Sequence, residues 1–126
     1  MNLSSGIDLI EIERIQNALD RYGERFTRRI YTPAEVKSAR GNPAELAARF
    51  AAKEATSKAL GTGIGPVSWV EIETLNQPSG KPILRLSGRA QAIARARGYE
   101  TWSVSLTHSR GMAAAVVVCV GDARSA

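Results

Sequence analysis

Residues 43–61, PAELAARFAAKEATSKALG, predict one long helix, and the rest of the 126-residue chain can be arranged around it. Asn42 can cap its start, Pro43 suits its first turn, and Gly61 can end it. Alanine is abundant and aromatic residues make up only 6% of the chain. We therefore expect a core of small and branched aliphatic side chains.

The segments before this helix predict one strand and three shorter helical stretches. Apolar alternation indicates a strand over residues 6–12, and a helical spacing follows over residues 12–22 until Gly23 interrupts it. A basic amphipathic stretch covers residues 24–30. Thr32-Pro33-Ala34-Glu35 has the form of a capping box, which predicts a short helix over residues 33–40.

The second half of the chain alternates in the manner of strands. Strands are expected over 70–75, 82–86, 102–107 and 112–120, and a helix over 88–97. Short turns near residues 78 and 110 favour antiparallel hairpins. The prediction is a single α+β domain over residues 1–126, with helices packed on one side of a mostly antiparallel sheet, and with fraying over residues 122–126.

Composition limits the partners and the location. The net charge of +5 favours an acidic partner. Sparse aromatic residues and the lack of a nucleic-acid-binding motif argue against a nucleic-acid-binding module. The lone Cys119 excludes an internal disulfide. There is no signal-peptide pattern, and the longest apolar run, Met112–Val120, is too short to span a bilayer. We expect a cytoplasmic protein without membrane contacts.

Two acidic residues occupy unexpected positions. Phe50, Glu54 and Lys58 share one face of the long helix, so a carboxylate lies in an otherwise apolar stripe. The pattern fits either an ion pair with Lys58 or a metal site. Asp8 interrupts an apolar strand, where it either faces solvent on an edge strand or is paired. Two such acids suggest a shared Mg²⁺, which needs only one or two carboxylates when phosphate and water complete its shell.

Two further features have a structural and a functional interpretation. The segment Gly61-Thr62-Gly63 can bind phosphate through backbone amides, or it can simply cap the helix and continue as a loop. His108, the only histidine, ends a strand just before a turn. Strand ends often carry functional groups, but a single histidine can equally be structural.

Three motifs together resemble those of one enzyme family. They are Gly6-Ile7-Asp8 with Arg14, Arg49-Phe50-Ala51-Ala52-Lys53-Glu54-Ala55 with Ser57-Lys58, and Ser103-Val104-Ser105-Leu106-Thr107-His108-Ser109. Their order and spacing are similar to those of the holo-acyl-carrier-protein synthases, the small bacterial 4′-phosphopantetheinyl transferases. The resemblance extends from Gly6 to Val120.

The resemblance implies a homotrimer with active sites at subunit interfaces and Mg²⁺ bound by Asp8 and Glu54. Lys58 would contact the phosphates of coenzyme A. The implied cofactor-binding positions also include Arg49, Gly61, Thr62, Gly63, Lys81, Pro82, Thr107 and His108. Lys37 and Arg40 are candidates for the 3′-phosphate. An acidic acyl carrier protein would dock on Arg14, Arg21, Arg25 and Arg28.

The implied reaction transfers phosphopantetheine from coenzyme A to a carrier serine and releases adenosine 3′,5′-bisphosphate. The serine proton has three candidate acceptors: a water on the metal that Glu54 orients, Glu54 itself, or His108. The competing interpretation is a trimerisation domain without catalysis, which the presence of Asp8, Glu54 and Lys58 disfavours.

Overall fold

A computed structural model describes residues 1–122, so the last four residues of the segment expected to fray lie outside the described part. The elements match the predicted types and order. They are β1 (Asn2–Glu11), α1 (Ile12–Tyr22), α2 (Glu24–Ile30), α3 (Pro33–Ala39), α4 (Pro43–Leu60), a 3₁₀ turn (Trp69–Glu71), β2 (Ile72–Asn76), β3 (Pro82–Leu86), α5 (Gly88–Ala96), β4 (Thr101–Ser109) and β5 (Met112–Gly121).

The five strands form two antiparallel sheets. The larger sheet has the order β1-β5-β4, and the smaller one pairs β2 with β3. Both predicted hairpins are confirmed, because β2 pairs with β3 and β4 pairs with β5. The α+β prediction is confirmed as well. The prediction had one sheet, whereas the structure has two. Alternation within individual strands does not show which strands share a sheet.

Most element boundaries agree with the predicted ones to within two residues, and the starts of β1 and β2 are the differences with a structural cause. β1 begins at Asn2, before the predicted start at Gly6, because β5 offers a pairing partner as far as Gly121. Residues 69–71 form a 3₁₀ turn where a strand was predicted from residue 70. The carboxylate of Glu71 accepts the Ser68 N–H at 2.8 Å, and this cap favours the turn.

Helix α4 packs on the inner face of the larger sheet, mainly against β1 and β5. Its buried face consists largely of alanine, and Ala47, Ala51 and Ala55 are 0% exposed. Gly6 allows the closest approach, because a Cβ at this position would overlap the carbonyl oxygen of Ala55. The predicted core of small side chains is confirmed. No helix within residues 1–122 has the length and apolarity needed to cross a membrane.

Candidate active site

Two acidic side chains from distant parts of the chain meet beside α4. Asp8 lies on β1 and Glu54 on α4, and partial burial together with the neighbouring Asp8 charge raises the pKa of Glu54. Lys58 Nζ donates to Asp8 Oδ1 at 3.3 Å and to the carbonyl oxygen of Ile7 at 2.9 Å. The positive charges of Lys58 and Arg14 oppose this rise in the pKa of Glu54 without cancelling it. We call Asp8, Glu54, Lys58 and Arg14 the carboxylate cluster.

The structure shows how Asp8 is exposed and which acid Lys58 pairs with. β1 is an edge strand, as one interpretation of Asp8 required. The Asp8 side chain is nevertheless only 19% exposed, because it alternates onto the inner face with Gly6 and Ile10. Lys58 forms an ion pair with Asp8 across the helix–strand contact. The pairing partner of Lys58 is therefore Asp8, although Glu54 lies one helical turn away.

The carboxylate cluster fits a magnesium ion that is shared with a ligand. Carboxylate oxygens are the protein ligands that Mg²⁺ prefers, and two are enough when phosphate and water supply the others. Among residues 1–122 there is no group of three or more acidic, histidine or cysteine side chains that could hold a metal. Within the described part of the chain, a cation at this position would therefore have the two carboxylates and would need further ligands from phosphate or water.

The glycine-containing loop after α4 is first of all a helix cap. Gly61 adopts the left-handed conformation with φ 81°, and its N–H donates to the Lys58 carbonyl at 3.0 Å. The N–H groups of Thr62 and Gly63 both donate to the Ser57 carbonyl, at 3.1 and 3.2 Å. These three amides are thus used by the helix end. The structure favours the cap interpretation over a cradle of free amides.

The third motif lines a separate cavity of about 420 Å³, which we call the histidine cavity. His108 Nε2 lies 3.6 Å from Glu45 Oε1, and the other carboxylate oxygen of Glu45 accepts a hydrogen bond from the buried Arg49 at 2.9 Å. Lys81 is exposed and precedes Pro82 in the turn between β2 and β3. The cavity is lined by Glu45, Ala48, Asn76, Gly80, Pro82, Ser105, Leu106, Thr107 and His108.

Helix α4 contributes residues to both groups, Glu54 and Lys58 to the carboxylate cluster and Glu45 and Ala48 to the histidine cavity. Asp8 on β1 is opposite Ala115, whereas His108 on β4 is opposite Ala113, with β5 in the middle of the sheet. Two strand spacings separate β1 from β4, which is roughly 10 Å before the offset along the strands is added. The predicted site residues therefore form two groups, which do not meet within one chain.

The basic residues predicted for docking do not all share one surface. Arg25 lines a groove of about 480 Å³ together with Arg29, which the sequence analysis did not select. Arg28 lies on another side of α2, where it pairs with Glu24 at 3.0 Å. The groove beside Arg25 is otherwise lined by Tyr22, Phe26, Ile30 and Trp69, and we call it the arginine groove.

The remaining predicted basic residues lie elsewhere. Arg21 is exposed in the last turn of α1 and lies 5.3 Å from the centre of the Tyr22 ring. Lys37 lines a different depression, between α2 and α3, together with Arg28. Arg40 is exposed at the end of α3. Neither Lys37 nor Arg40 borders the histidine cavity, so this chain alone gives no support for their contact with a 3′-phosphate.

A buried ion pair on α4 was not anticipated. Lys53 and Glu35 are both 0% exposed and lie 2.6 Å apart. Burial lowers the pKa of Lys53, and the Glu35 charge opposes that shift. One sequence signal could have located Lys53. Leu46, Lys53 and Leu60 follow one another at seven-residue intervals, which places all three on the buried face of α4.

The outer face of the larger sheet carries an apolar patch. Side chains that alternate away from α4 on β1 and β5 leave large aliphatic groups in solvent. Contiguous exposed patches of this kind mark interaction surfaces. The exposed members are Leu3 (67%), Ile7 (66%), Leu9 (63%), Val116 (40%) and Val118 (38%).

Comparison with known proteins identifies the family. Residues 4–117 match the model of the 4′-phosphopantetheinyl transferase superfamily. The chain belongs to this superfamily. The holo-[acyl-carrier-protein] synthase of Herpetosiphon aurantiacus is 50% identical in an alignment 126 positions long, and the alignment covers 94% of this chain and 99% of that protein. The resemblance found in the three motifs is thereby confirmed, as is the prediction of a transferase.

Solved structures of the superfamily share the fold of this transferase. The Helicobacter pylori holo-[acyl-carrier-protein] synthase in complex with coenzyme A has a TM-score of 0.84 and 33% identity, covering 92% of this chain and 99% of that chain. The Bacillus anthracis enzyme in complex with CoA (3′,5′-ADP) has a TM-score of 0.77 and 40% identity, covering 94% and 96%. The predicted transferase-like fold is confirmed.

Proposed function

We propose that this transferase moves the 4′-phosphopantetheine group of coenzyme A to a serine of an apo acyl carrier protein, with Mg²⁺. The observation that carries the proposal is the meeting of Asp8, Glu54 and Lys58 in a phosphopantetheinyl transferase fold. Relatives are holo-[acyl-carrier-protein] synthases, and two solved ones were crystallised with coenzyme A or its nucleotide part.

The proposed reaction is a displacement at phosphorus. The carrier serine Oγ forms a bond to the β-phosphorus, and the bond from that phosphorus to the bridging oxygen breaks. The products are the holo carrier and adenosine 3′,5′-bisphosphate, and the serine proton must be accepted by a base. Such transfers depend mainly on positioning and on charge neutralisation, so the protein needs few reacting groups.

The carboxylate cluster supplies the charges that this reaction needs. Asp8 and Glu54 would hold Mg²⁺, which when bound places positive charge at the diphosphate oxygens. Lys58 is half exposed, and its side chain is flexible. It can therefore exchange its contact with Asp8 for a contact with a phosphate oxygen. Arg14 lies within range of Glu54 and adds further positive charge.

Glu54 would help to remove the serine proton, first by orienting a water beside the cation and only second by accepting the proton itself. Burial and the neighbouring Asp8 raise the pKa of its carboxyl group in the metal-free protein, whereas a bound cation would lower it, so direct proton acceptance by Glu54 is the second choice. Its Oε atoms also lie in the same cluster as Lys58. His108 belongs to the histidine cavity, where contact with coenzyme A is the role that we assign to it.

A homotrimer would bring the two groups of site residues together. The carboxylate cluster of one subunit would face the histidine cavity of the next, so that Arg49, Pro82, Thr107 and His108 complete the cofactor site. The apolar patch around Ile7 supports this assembly, because it would be buried between subunits. Gly61, Thr62, Gly63 and Lys81 would contribute at the edges of the same site.

The arginine groove supports docking of an acidic carrier. Arg25 and Arg29 flank an apolar floor that includes Phe26 and Trp69. This combination suits an amphipathic helix with acidic edges, because charge steers the encounter and apolar contact holds the complex. Arg14 and Arg21 extend the positive charge towards the carboxylate cluster. Arg28, which is paired with Glu24, would contribute less.

The direct test measures the mass of the carrier. The protein is incubated with coenzyme A, Mg²⁺ and an apo acyl carrier protein, and the intact carrier is weighed by mass spectrometry. We expect a gain of one phosphopantetheine, the formation of adenosine 3′,5′-bisphosphate, and loss of both when a chelator is present. If the mass of the carrier stays unchanged when coenzyme A and Mg²⁺ are both present, the proposal is refuted.

A further inference from the structure

One polar side chain ties α4 to three other elements at the position next to Glu54. Lys53 Nζ donates to Glu35 Oε1 on α3 at 2.6 Å. It also donates to the backbone carbonyl oxygens of Trp69 at 3.0 Å and Ile72 at 2.5 Å. The three donors of the ammonium group thus have three acceptors, on α3, on the 3₁₀ turn and at the start of β2.

Glu35 is fixed by backbone groups in turn. Its Oε1 accepts the N–H of Thr32 at 3.0 Å, and its Oε2 accepts the N–H of Thr74 at 3.0 Å. The carboxylate therefore has partners on two different elements in addition to Lys53. A fully bonded ionic group of this kind defines the position of its partner more narrowly than apolar packing does.

Other hydrogen bonds join α4 to its neighbours away from Lys53: Tyr31 Oη donates to the Leu46 carbonyl at 2.7 Å, Arg49 donates to Ser38 Oγ at 3.0 Å, and Ser4 Oγ donates to the Ala59 carbonyl at 2.7 Å. Between these bonds, the apolar part of the buried face of α4 resists rotation weakly. It is made largely of alanine methyl groups, including Ala47, Ala51 and Ala55. Such contacts are non-directional, because dispersion and burial depend little on the angle between groups. Hydrogen bonds weaken steeply when they are bent, so the bonds of Lys53 oppose a turn of the helix about its axis.

Small rotations of α4 would matter at the carboxylate cluster. Glu54 follows Lys53 directly, about 100° further round the helix. A turn of roughly 10° moves a carboxylate that lies about 6 Å from the helix axis by about 1 Å. Displacements of this size can lower a reaction rate on the order of 100-fold.

We propose that Lys53, held by Glu35, is a positioning residue that fixes the rotation of α4 and thereby keeps Glu54 opposite Asp8 for the divalent cation. The inference rests on the proposed function, because it assumes that the carboxylate cluster binds a cation. It assigns no contact with substrate to Lys53, whose side chain is fully buried.

The test compares cation binding with stability. Mn²⁺ is titrated into the protein with saturating coenzyme A and no carrier, free Mn²⁺ is measured by electron paramagnetic resonance, and a titration without protein is subtracted. We expect Lys53→Met to weaken Mn²⁺ binding by about 10- to 100-fold, as is usual when the support of a metal ligand is removed. Its melting temperature should also fall, since Glu35 is left buried without its partner.

The double variant Lys53→Met/Glu35→Leu separates positioning from stability. Replacing both charges by apolar groups should restore much of the melting temperature. Weak Mn²⁺ binding should persist, because the directional bonds are still missing. Ile72→Val is the matched control: it trims a buried side chain but keeps the carbonyl that accepts from Lys53. It should melt lower than the wild type and bind Mn²⁺ normally.

The outcomes distinguish this inference from the proposed function. Wild-type Mn²⁺ affinity in the double variant would overturn the positioning role, and so would wild-type affinity in a folded Lys53→Met protein. If Lys53→Met does not fold, the double variant decides alone. A wild-type protein that binds no Mn²⁺ above the coenzyme A background would instead remove the cation site itself, and the inference with it.

Discussion

Lys58 Nζ lies 3.3 Å from Asp8 Oδ1, so a lysine on α4 neutralises a carboxylate on β1. In the proposed complex the same carboxylate holds a cation and the same lysine contacts phosphate. Lys58 would therefore have to exchange partners when coenzyme A and Mg²⁺ enter. Its side chain is 53% exposed, so the exchange costs little.

Replacing Lys58 should separate cofactor binding from cation binding. In Lys58→Gln we expect the KM for coenzyme A to rise about 10- to 100-fold, because a charge-assisted contact with phosphate is lost. Mn²⁺ binding without coenzyme A should be unchanged or slightly tighter, because a competitor for Asp8 is removed. Steady-state kinetics and Mn²⁺ titration measure the two effects. Arg95→Gln, at an exposed position in the last turn of α5, is the control, and an equal loss of both affinities in Lys58→Gln would contradict this role.

Glu54 should be needed for activity and unfavourable for stability. Glu54→Gln should reduce transfer on the order of 10²- to 10⁴-fold, as expected for loss of a group that assists proton removal. The pKa of Glu54 is raised in the folded protein, so its contribution to stability is present at acid pH and is lost as the pH rises through that pKa.

Glu54→Gln should consequently melt slightly above the wild type at neutral pH without metal, by a few degrees at most. The difference should disappear as the pH falls below the ordinary glutamate pKa of 4.5. Thermal unfolding at a series of pH values in chelator measures it. A variant that melts below the wild type at neutral pH would contradict the assigned direction.

Gly6 should not tolerate a side chain. The Cβ of Gly6→Ala would overlap the carbonyl oxygen of Ala55 and lie 2.8 Å from its carbon, and backbone atoms cannot easily move aside. We expect the free energy of unfolding to fall by at least the upper end of the usual ~1–3 kcal/mol for overpacking. Transfer activity should also be lost, because β1 would carry Asp8 away from Glu54.

Gly41→Ala is the control for Gly6→Ala. Gly41 has φ 72° and no atom within 4 Å of an added Cβ, so the cost is backbone strain of about 1–2 kcal/mol. Its transfer activity should remain. Denaturant unfolding and the carrier mass assay measure both variants, and full activity in a folded Gly6→Ala protein would argue against the close approach.

Charge reversals on α2 should discriminate between its two sides. Arg25→Glu and Arg29→Glu should each raise the KM for the carrier about 10-fold and leave the KM for coenzyme A nearly unchanged. Arg28→Glu should have a much smaller effect, because Arg28 lies outside the arginine groove. Higher salt should weaken carrier binding more than coenzyme A binding. Equal sensitivity at Arg25 and Arg28 would place the carrier elsewhere.

Mixing two inactive variants should restore activity if sites form between subunits. Glu54→Ala removes a residue of the carboxylate half, and His108→Ala removes a residue of the cavity half. After joint refolding in equal amounts, about a quarter of the interfaces should contain both intact halves, so about a quarter of the wild-type rate is expected. The carrier mass assay measures the rate. Activity that stays at the level of the separate variants would contradict shared sites.

The local pattern was enough to predict the elements and the carboxylate cluster. Helix α4, the Thr32 capping box and both hairpins follow from caps, periodicity and turns, which act over a few residues. Asp8 and Glu54 could be paired because two acids in apolar surroundings need a common explanation. The three motifs added the family.

Other features depend on tertiary contacts that no local pattern contains. The spacing of Leu46, Lys53 and Leu60 could have placed Lys53 on the buried face of α4, but its partner Glu35 is known only from the approach of α3. Arg28 and Arg29 are adjacent in sequence, but Arg29 borders the groove that contains Trp69 whereas Arg28 borders a depression beside α3. The amides of the glycine loop were ambiguous until their acceptors on α4 were known.

The separation of Asp8 on β1 from His108 on β4 has a consequence for dilution. If the two halves of each site come from neighbouring subunits, as proposed, an isolated chain has no complete cofactor pocket. Turnover per molecule should therefore fall when the protein is diluted below its self-association constant, and it should recover on concentration. Near that constant, the total activity would rise faster than linearly with the protein concentration.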